Sequence, residues 1–366
     1  KIVMHAPSDM GGARLSMKKN RHIHIIGAGL SGMVAGITLA REGCRVTISD
    51  AQKKIGGSPL LHPSVHTTPA QLPELNNYTG IDFSGVFVPC DPYPVFYNKT
   101  GRLAFPPYVK HNRAYCVERG PRPSSIDSFL YKIAVKEGVR FEFGKKYDFQ
   151  FTGPGTIVAT GLDAAGYGAF GIPCRLVYGA WSAREIDDLR ATGTIYMGPF
   201  STDYGYTAQI NGLDYNLLFS RRPVKDGDLA AYRATLKKIG IAGYPDPWQP
   251  VTMAVPAAAR LFAGDVILAG TLSGMIEPFW GYGIVGAIIS GRIAAGAVMD
   301  RSAAEREFEQ FNRGFDKKFI RRETFSSYPS PVRSLLTSGS LAWARLQCRF
   351  DGKLASGPRE PLKWFR

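Results

Sequence analysis

A chain of 366 residues, 45% hydrophobic and 20% charged, with a mean hydropathy of -0.11, has the length for one large α/β body or two closely joined lobes and excludes a disordered or fibrous polymer. No apolar run reaches the roughly 18 residues that span a bilayer, since the best candidate, Ile284 to Met299, is interrupted by Arg292. The formal charge is +15, and the five cysteines, Cys44, Cys90, Cys116, Cys174 and Cys348, are never closer than 26 positions; this points away from a disulfide framework or a CxxC metal site and towards a reducing, cytoplasmic setting.

Lys1 to Asn20 lacks a basic-then-apolar signal pattern and reads as a polar extension outside the fold. His22 to Ile26 then reads as a short buried strand, followed by Gly27-Ala-Gly29-Leu30-Ser31-Gly32 and by Met33 to Arg41 with apolar and small residues at helical spacing. In a strand, glycine turn and helix of this kind, Gly27 allows the tight turn, Gly29 lets the backbone approach a pyrophosphate, and Gly32 lets the helix lie close to the strand. A second strand, Arg45 to Ser49, ends in Asp50 and Ala51. A carboxylate about twenty residues beyond the glycines can accept hydrogen bonds from adenosine ribose hydroxyls and repels a 2′-phosphate. The order specifies a dinucleotide-binding βαβ unit.

Leu60 to Tyr108 is dense in proline and aromatic residues, among them Pro89, Tyr93, Pro94, Phe96, Tyr97, Phe105 and Tyr108, without a helical period, and predicts loops and short strands. Tyr115 to Arg119 reads as a strand. Ser125 precedes a helix through Glu137, with Ser128 three residues on in position for a cap. Thr156-Ile-Val-Ala-Thr160-Gly161 reads as a short strand and turn. Ile195 to Phe200 and Tyr204 to Arg221, where Leu213, Tyr215, Leu217 and Phe219 alternate, predict an antiparallel sheet that forms one wall of an apolar cavity.

Near the C-terminus runs Asp265-Val-Ile-Leu-Ala-Gly270-Thr271-Leu-Ser-Gly274, then Glu277-Pro278-Phe279-Trp280-Gly281-Tyr282-Gly283-Ile284, then a helix with small residues Gly286, Ala287, Ser290, Gly291, Ala294 and Ala295. From Lys317 onward, eleven basic residues face only Glu323, Asp351 and Glu360, interleaved with Phe319, Phe325, Leu335, Leu336, Leu341, Trp343, Trp364 and Phe365. Such a tail is compatible with contact to an anionic membrane surface or an acidic partner, or with a solvated basic face packed over the body. No RNA-binding motif accompanies it, so nucleic acid is not the expected partner.

Taken in order, the N-terminal unit, the Thr160-Gly161 turn and the C-terminal segment resemble the geranylgeranyl reductase and p-hydroxybenzoate hydroxylase-like flavoproteins, strongly over residues 22–57 and 262–296 and loosely between. The resemblance implies an α/β fold: a Rossmann-like FAD-binding domain from residues 21–85, 121–165 and 262–300, an inserted antiparallel-sheet substrate domain from 86–120 and 166–261, and a helical basic tail from 301–366. It implies noncovalent FAD, contacted by Gly27, Gly29, Leu30, Ser31, Gly32, Asp50, Ala51, Gly57, Thr160, Gly161, Gly270, Thr271, Gly281, Gly283 and Ile284. In this picture Gly281 and Gly283 admit backbone amides to the flavin ring, and the following helix turns its positive N-terminus towards the edge that becomes anionic on reduction.

The sequence departs from the family at three points. Thr271 replaces the usual aspartate, Lys54-Ile55-Gly56-Gly57 carries no cysteine before its glycines, and the aromatic strand near Tyr204 to Ile210 ends in Ile-Asn rather than Phe-Pro. No second GxGxxG is present, so NAD(P)H is expected only as a transient donor; the WxWxIP pattern of flavin halogenases is also absent. The expected activity is FAD-dependent reduction or dehydrogenation of a hydrophobic or lipid substrate. The alternatives are a flavin monooxygenase and a non-redox FAD scaffold that binds nucleic acid or a partner. Glu277, Trp280 and Tyr282, inside the flavin-facing loop, are the expected catalytic residues; His62, His66, His111, Arg113 and Arg119 are further polar candidates.

Overall fold

The computed structural model describes residues 21–90, 94–97, 101–104, 113–149, 153–241 and 243–351. Expectations for Lys1–Asn20, for Tyr93, Phe105, Tyr108 and His111, and for Trp364 and Phe365 fall outside these residues.

The first layer is a six-stranded sheet. Strand β1 (His22–Ile26) lies between β2 (Arg45–Asp50) and β9 (Ile157–Val158), all parallel, with β8 (Arg140–Phe143) outside β2. On the other side β16 (Val266–Leu268) joins β9 in parallel, and β15 (Phe262–Ala263) closes the edge antiparallel. The chain thus returns twice from distant segments to the strand it began with, as in a doubly wound dinucleotide fold.

Two helices lie side by side against this sheet. Helix α1 (Leu30–Arg41) is buried along nearly its whole length, and α6 (Ile284–Met299) is apolar almost all round. Such a helix belongs inside the protein. The small residues of α6 make that possible: a Cβ on Gly291 would stand 2.4 Å from the Ser31 carbonyl oxygen and 2.9 Å from Val34 Cβ. Met33, Ile37, Ile288 and Ile289 fill the same core, each contributing on the order of 1.5–3 kcal/mol by its burial.

The second layer is a seven-stranded sheet in the order β14 (Gln249–Pro256), β10 (Cys174–Glu185), β13 (Leu213–Ser220), β12 (Tyr204–Ile210), β11 (Thr192–Met197), β5 (Pro94–Tyr97), β6 (Gly101–Ala104). Strands β12 and β13 form a two-residue hairpin with Ile210 opposite Leu213. Its turn, Asn211-Gly212, has positive φ at both positions, 52° and 73°, the combination that matches the twist of adjoining strands. Helix α5 (Asp226–Lys238) covers one face, with Tyr232 and Leu236 packed on Tyr196 and Leu218.

Between these layers lies a three-stranded sheet, β3 (Ser64–Ala70), β7 (Arg113–Arg119) and β4 (Val88–Pro89). It joins β3, from the segment expected in the FAD domain, to strands expected on the substrate side. Helix α3 (Ile126–Lys136) follows β7 and is capped as the sequence predicts, Ser125 Oγ accepting from Ser128 N at 3.1 Å.

One expectation is corrected. Leu60 to Tyr108 is not without helix, because α2 (Leu72–Thr79) forms there with proline at its start, Glu74 in its first turn and Gly80 closing it in the left-handed conformation. The segment after residue 300 is helical as expected through residue 351, and part of it packs on the body. Helices α7 (Arg301–Asn312), α8 (Phe315–Ser327) and α9 (Ser330–Asp351) follow one another; α7 packs on α6, and Arg322 of α8 is fully buried on Asp203 between the rings of Phe279 and Phe325.

Candidate functional site

The glycine turn has three mechanical positions that the structure separates. Gly27 adopts φ +103°, and a Cβ there would stand 2.4 Å from the Ala159 carbonyl oxygen; on Gly32 it would stand 1.9 Å from the Gly27 carbonyl oxygen. Both are glycine because protein backbone occupies the space. Gly29, at the N-cap of α1, has ordinary φ, and a Cβ would meet no protein atom within 4 Å. The protein's own packing does not require a glycine there, whereas a ligand approaching the helix N-terminus would.

The same pattern recurs at α6. Its N-cap, Gly283, has φ -110°, and the nearest atom to an added Cβ is Thr271 Oγ1 at 3.8 Å. Residues 270 and 271 border both helix starts: an added Cβ on Gly270 would lie 2.5 Å from Ser31 Oγ, Thr271 Oγ1 is the nearest atom to one on Gly283, and the Gly270 amide also donates to Ser290 Oγ, in the second turn of α6, at 2.8 Å. Two helix N-termini, each contributing partial positive charge and free amide groups, therefore converge on one region. Leu30 and Ser31 are buried at its floor.

Asp50, at the end of β2, is fixed by two backbone bonds: Oδ2 accepts from Ala28 N and Oδ1 from Gln52 N, both at 2.7 Å. It holds the glycine turn, and each oxygen retains a lone pair for a ribose hydroxyl. Ala51 follows in the exposed turn. Thr160 and Gly161 follow β9 beside Gly27, with the Thr160 hydroxyl buried and lacking a hydrogen-bond partner among the described residues. Thr271 accepts the Tyr167 hydroxyl at its carbonyl, 3.0 Å away.

Beyond the α6 start opens a cleft of about 60 Å³, lined by His66, Thr67 and Thr68 of β3, Ile195 of β11, Tyr204 and Tyr206 of β12, and Gly281, Tyr282, Gly283 and Ile284. All three layers contribute to it. Gly281, at φ +81°, turns the loop so that Gly283 can start the helix. Thr68 Oγ1 is a buried hydroxyl with no hydrogen-bond partner among the described residues, and Tyr204 donates to the Trp280 carbonyl at 2.5 Å, pinning the loop to the substrate sheet.

Of the three expected catalytic residues, only Tyr282 lines the cleft. Glu277 is buried and does not face it: its Oε2 accepts from Trp280 N at 2.6 Å and Phe279 N at 3.1 Å. Burial raises its carboxyl above the usual range while those amides pull it down, so its work is to shape the loop. Trp280 contributes its carbonyl to Tyr204 and packs its ring on Phe279 and Tyr204.

Beneath the cleft the polar candidates Arg119, His62 and His66 meet Asp127 and Ser64, two groups that sequence reasoning did not single out for the site. Arg119 forms a two-pronged ion pair with fully buried Asp127, at 2.7 and 2.9 Å, and Asp127 also accepts from Gly120 N at 3.0 Å. Burial alone would raise the Asp127 carboxyl; Arg119 more than offsets this and holds it below the usual range. Beside the pair, His62 Nδ1 bonds Ser64 Oγ at 2.7 Å, Ser64 Oγ bonds His66 Nε2 at 2.8 Å, and His66 Nδ1 bonds the Tyr206 hydroxyl at 3.1 Å. Burial, followed by the Arg119 charge, pushes both imidazoles down to about 3, so both are neutral. The alternation His62, Ser64, His66 at period two was the available signal. Among the described residues no group of three or more His, Cys, Asp or Glu is placed to hold a metal ion.

Residues 25–60 match the family of NAD(P)-binding Rossmann-like domains. A flavin-containing monooxygenase, FMO GS-OX-like 3 of Arabidopsis thaliana, is 27% identical over 138 residues, which are 35% of this chain and 28% of that protein; the chain thus spans little more than a quarter of that relative's length. Among solved structures, a geranylgeranyl bacteriochlorophyll reductase-like protein from Thermoplasma acidophilum superposes with a TM-score of 0.67 at 16% identity, covering 87% of this chain and 90% of that one. A variant of Klebsiella pneumoniae HpxO complexed with FAD gives 0.59 at 17% identity, covering 92% and 98%. These likenesses, together with the sheet order and the paired helix starts, show the chain to share the α/β fold of these structures, with an NAD(P)-binding Rossmann-like unit at its start.

Proposed function

We propose that the protein is an FAD-dependent oxidoreductase for a hydrophobic substrate, with the dinucleotide held noncovalently across the starts of α1 and α6. One observation carries this: Gly29 and Gly283 leave open, at two converging helix N-termini, the space a side chain would take, and the second of them borders the cleft. Amides of Gly29 to Gly32 would face the pyrophosphate and Asp50 the adenosine ribose, while the loop from Gly281 to Ile284 would border the ring. When bound there, FAD supplies the capacity to take up and pass on an electron pair as hydride. The chain's residues do the rest. Tyr204, Tyr206, Tyr282 and Ile195 wall the cleft and exclude water from an apolar guest, and Thr68 offers it one hydroxyl.

Within this class we favour the reductase or dehydrogenase reading, with NAD(P)H docking briefly as donor; a monooxygenase needs the same fold. Anaerobic titration of the FAD-loaded protein with NADPH and NADH, followed by an isoprenoid lipid or an aromatic acid and then by air, separates them. Reoxidation by the lipid without oxygen supports the reductase. Reoxidation only by air with loss of substrate supports the monooxygenase, and failure to bind FAD overturns both.

Substrate delivery from an anionic lipid surface is part of the same proposal. Among the described residues no helix is long and apolar enough to cross a membrane, yet Ile320, Val332, Leu335 and Leu336 on α8 and α9 are exposed, alongside exposed Lys317 and Arg321. Apolar anchors ringed by basic groups match such a surface. Co-sedimentation with phosphatidylserine vesicles, lost with Leu335→Asp and absent with pure phosphatidylcholine, is the expected result; equal sedimentation with both lipids contradicts it.

A further inference from the structure

The hydrogen-bonded chain on β3 has a geometry that the cleft does not need for packing. Ser64 is wholly buried, and its hydroxyl is shared by two imidazoles, at 2.7 and 2.8 Å. One end of the chain opens into the cleft, where His66 and Tyr206 are lining residues. The other end reaches the glycine arm: a Cβ on Gly57 would lie 2.9 Å from His62 Cδ2 and 3.1 Å from His62 Nε2. That nitrogen has no hydrogen-bond partner among the described residues.

We infer that His62, Ser64, His66 and Tyr206 form a proton relay between the Gly57 arm and the aromatic cleft. Each member both donates and accepts. In one polarity His62 Nδ1 donates to Ser64, Ser64 to His66 Nε2, His66 Nδ1 to Tyr206, and Tyr206 into the cleft. In the other, Tyr206 donates to His66 Nδ1, His66 Nε2 to Ser64, Ser64 to His62 Nδ1, and His62 Nε2 outward. Every bond survives the reversal. A proton taken from water at His62 Nε2 displaces the Nδ1 proton to Ser64, the Ser64 proton to His66 Nε2, the His66 Nδ1 proton to the Tyr206 oxygen, and the Tyr206 proton into the cleft. One proton enters, one leaves, and the buried segment gains no charge. A neutral wire suits this location, because the Arg119 guanidinium nearby penalises an imidazolium while Asp127, which would favour one, is already engaged by Arg119.

The relay's use in turnover rests on the oxidoreductase reading: a substrate filling the cleft would shut out water at the moment a carbon atom or heteroatom must gain or lose a proton, and Tyr206 would serve it there. The wire itself does not depend on that reading, and the test separates the two. In protein labelled with 15N-histidine, ring-nitrogen shifts report tautomer and charge. The expected result is that Tyr206→Phe alters the tautomer balance of both His66 and His62, that Ser64→Ala confines the effect of Tyr206→Phe to His66, and that Ser64→Thr, which keeps the hydroxyl, restores transmission. An unmoved His62 in the Tyr206→Phe protein, or transmission that persists in Ser64→Ala, overturns the relay.

A second readout uses FAD-loaded protein reduced anaerobically with dithionite in the presence of a pH indicator and an aromatic acid to fill the cleft. Proton uptake should lag flavin bleaching in Ser64→Ala by at least about tenfold and keep pace in Ser64→Thr. Equal uptake in all three proteins contradicts a proton-carrying role. Protein that binds no FAD overturns the oxidoreductase reading and leaves the first readout standing.

Discussion

The nucleotide-binding unit and the cleft are built on opposite plans. The signature contacts of the first lie inside residues 22–50, where β1 pairs with β2, Gly32 packs on Gly27, and Asp50 holds Ala28, while β9 and α6 complete the unit from distant segments. The cleft takes its lining from residues 66–68, 195, 204, 206 and 281–284, which meet only when the three-stranded sheet, the seven-stranded sheet and the start of α6 have assembled. The first region carries its pattern in one stretch of chain. The second depends on links between elements, among them Arg119 of β7 to Asp127 of α3 and Tyr204 of β12 to the Trp280 carbonyl.

That contrast can be broken most forcefully at Arg119. Arg119→Ala leaves the Asp127 carboxylate buried without its cation and should cost about 3–5 kcal/mol in urea unfolding, with the β3–β7 side loosening first. Hydrogen exchange should show β3 and β7 amides losing protection before those of β1 and β2; uniform loss would mean the two regions unfold as one. Next comes Gly32→Ala, which strikes the local region. With a carbonyl oxygen 1.9 Å from the new methyl group, α1 must lift from β1, at about 1–3 kcal/mol or more. Thermal melts check this, an unchanged melting temperature being the contrary result.

A smaller effect sharpens the comparison by pH. His62 and His66 have folded-state pKa values pushed below the unfolded value, down to about 3, so the unfolded chain binds protons that the native state refuses. Their contribution is complete above about pH 6.5 and is lost as pH falls towards the folded values. Arg119, Asp127, Tyr206 and Tyr215 are the groups facing this pair. His66→Gln should flatten the decline between pH 6.5 and 5 by up to about 1 kcal/mol per pH unit, less than the full value because the ring is partly exposed. Urea titrations at pH 7, 6 and 5 measure it, and parallel slopes for the two proteins would contradict it.

Legibility followed the same division. Gly27, Gly29, Gly32 and Asp50 could be placed from spacing because strand, turn, helix and strand follow one another within thirty residues, and Ser125 because a cap bonds three residues away. Pro73, Glu74 and Gly80 carried the start and stop of α2, and Asn211-Gly212 carried the hairpin turn, but the density of proline and aromatic residues around the first and the search for alternation around the second masked them. Glu277 lies in the expected loop, but its bonds to the amides of residues 279 and 280, which leave no trace in composition, hold its carboxylate away from the cleft lining. The buried Arg322 was hidden in a run of basic residues that reads as solvent-facing. Its partner, Asp203, is 119 residues distant.

The central claim is that two helix starts cradle FAD, and Gly29 tests it most directly because no protein atom needs that position empty. FAD titration by flavin fluorescence, run beside thermal melts for the unaltered chain and for Gly29→Ala, should show tight binding by the first. The second should lose only about 0.5–1 kcal/mol of stability, the preference for Gly over Ala at an N-cap, while staying folded, and bind FAD at least about tenfold more weakly, a loss of roughly 1.4 kcal/mol. Equal affinity in the two proteins, or no binding by either, would contradict the account.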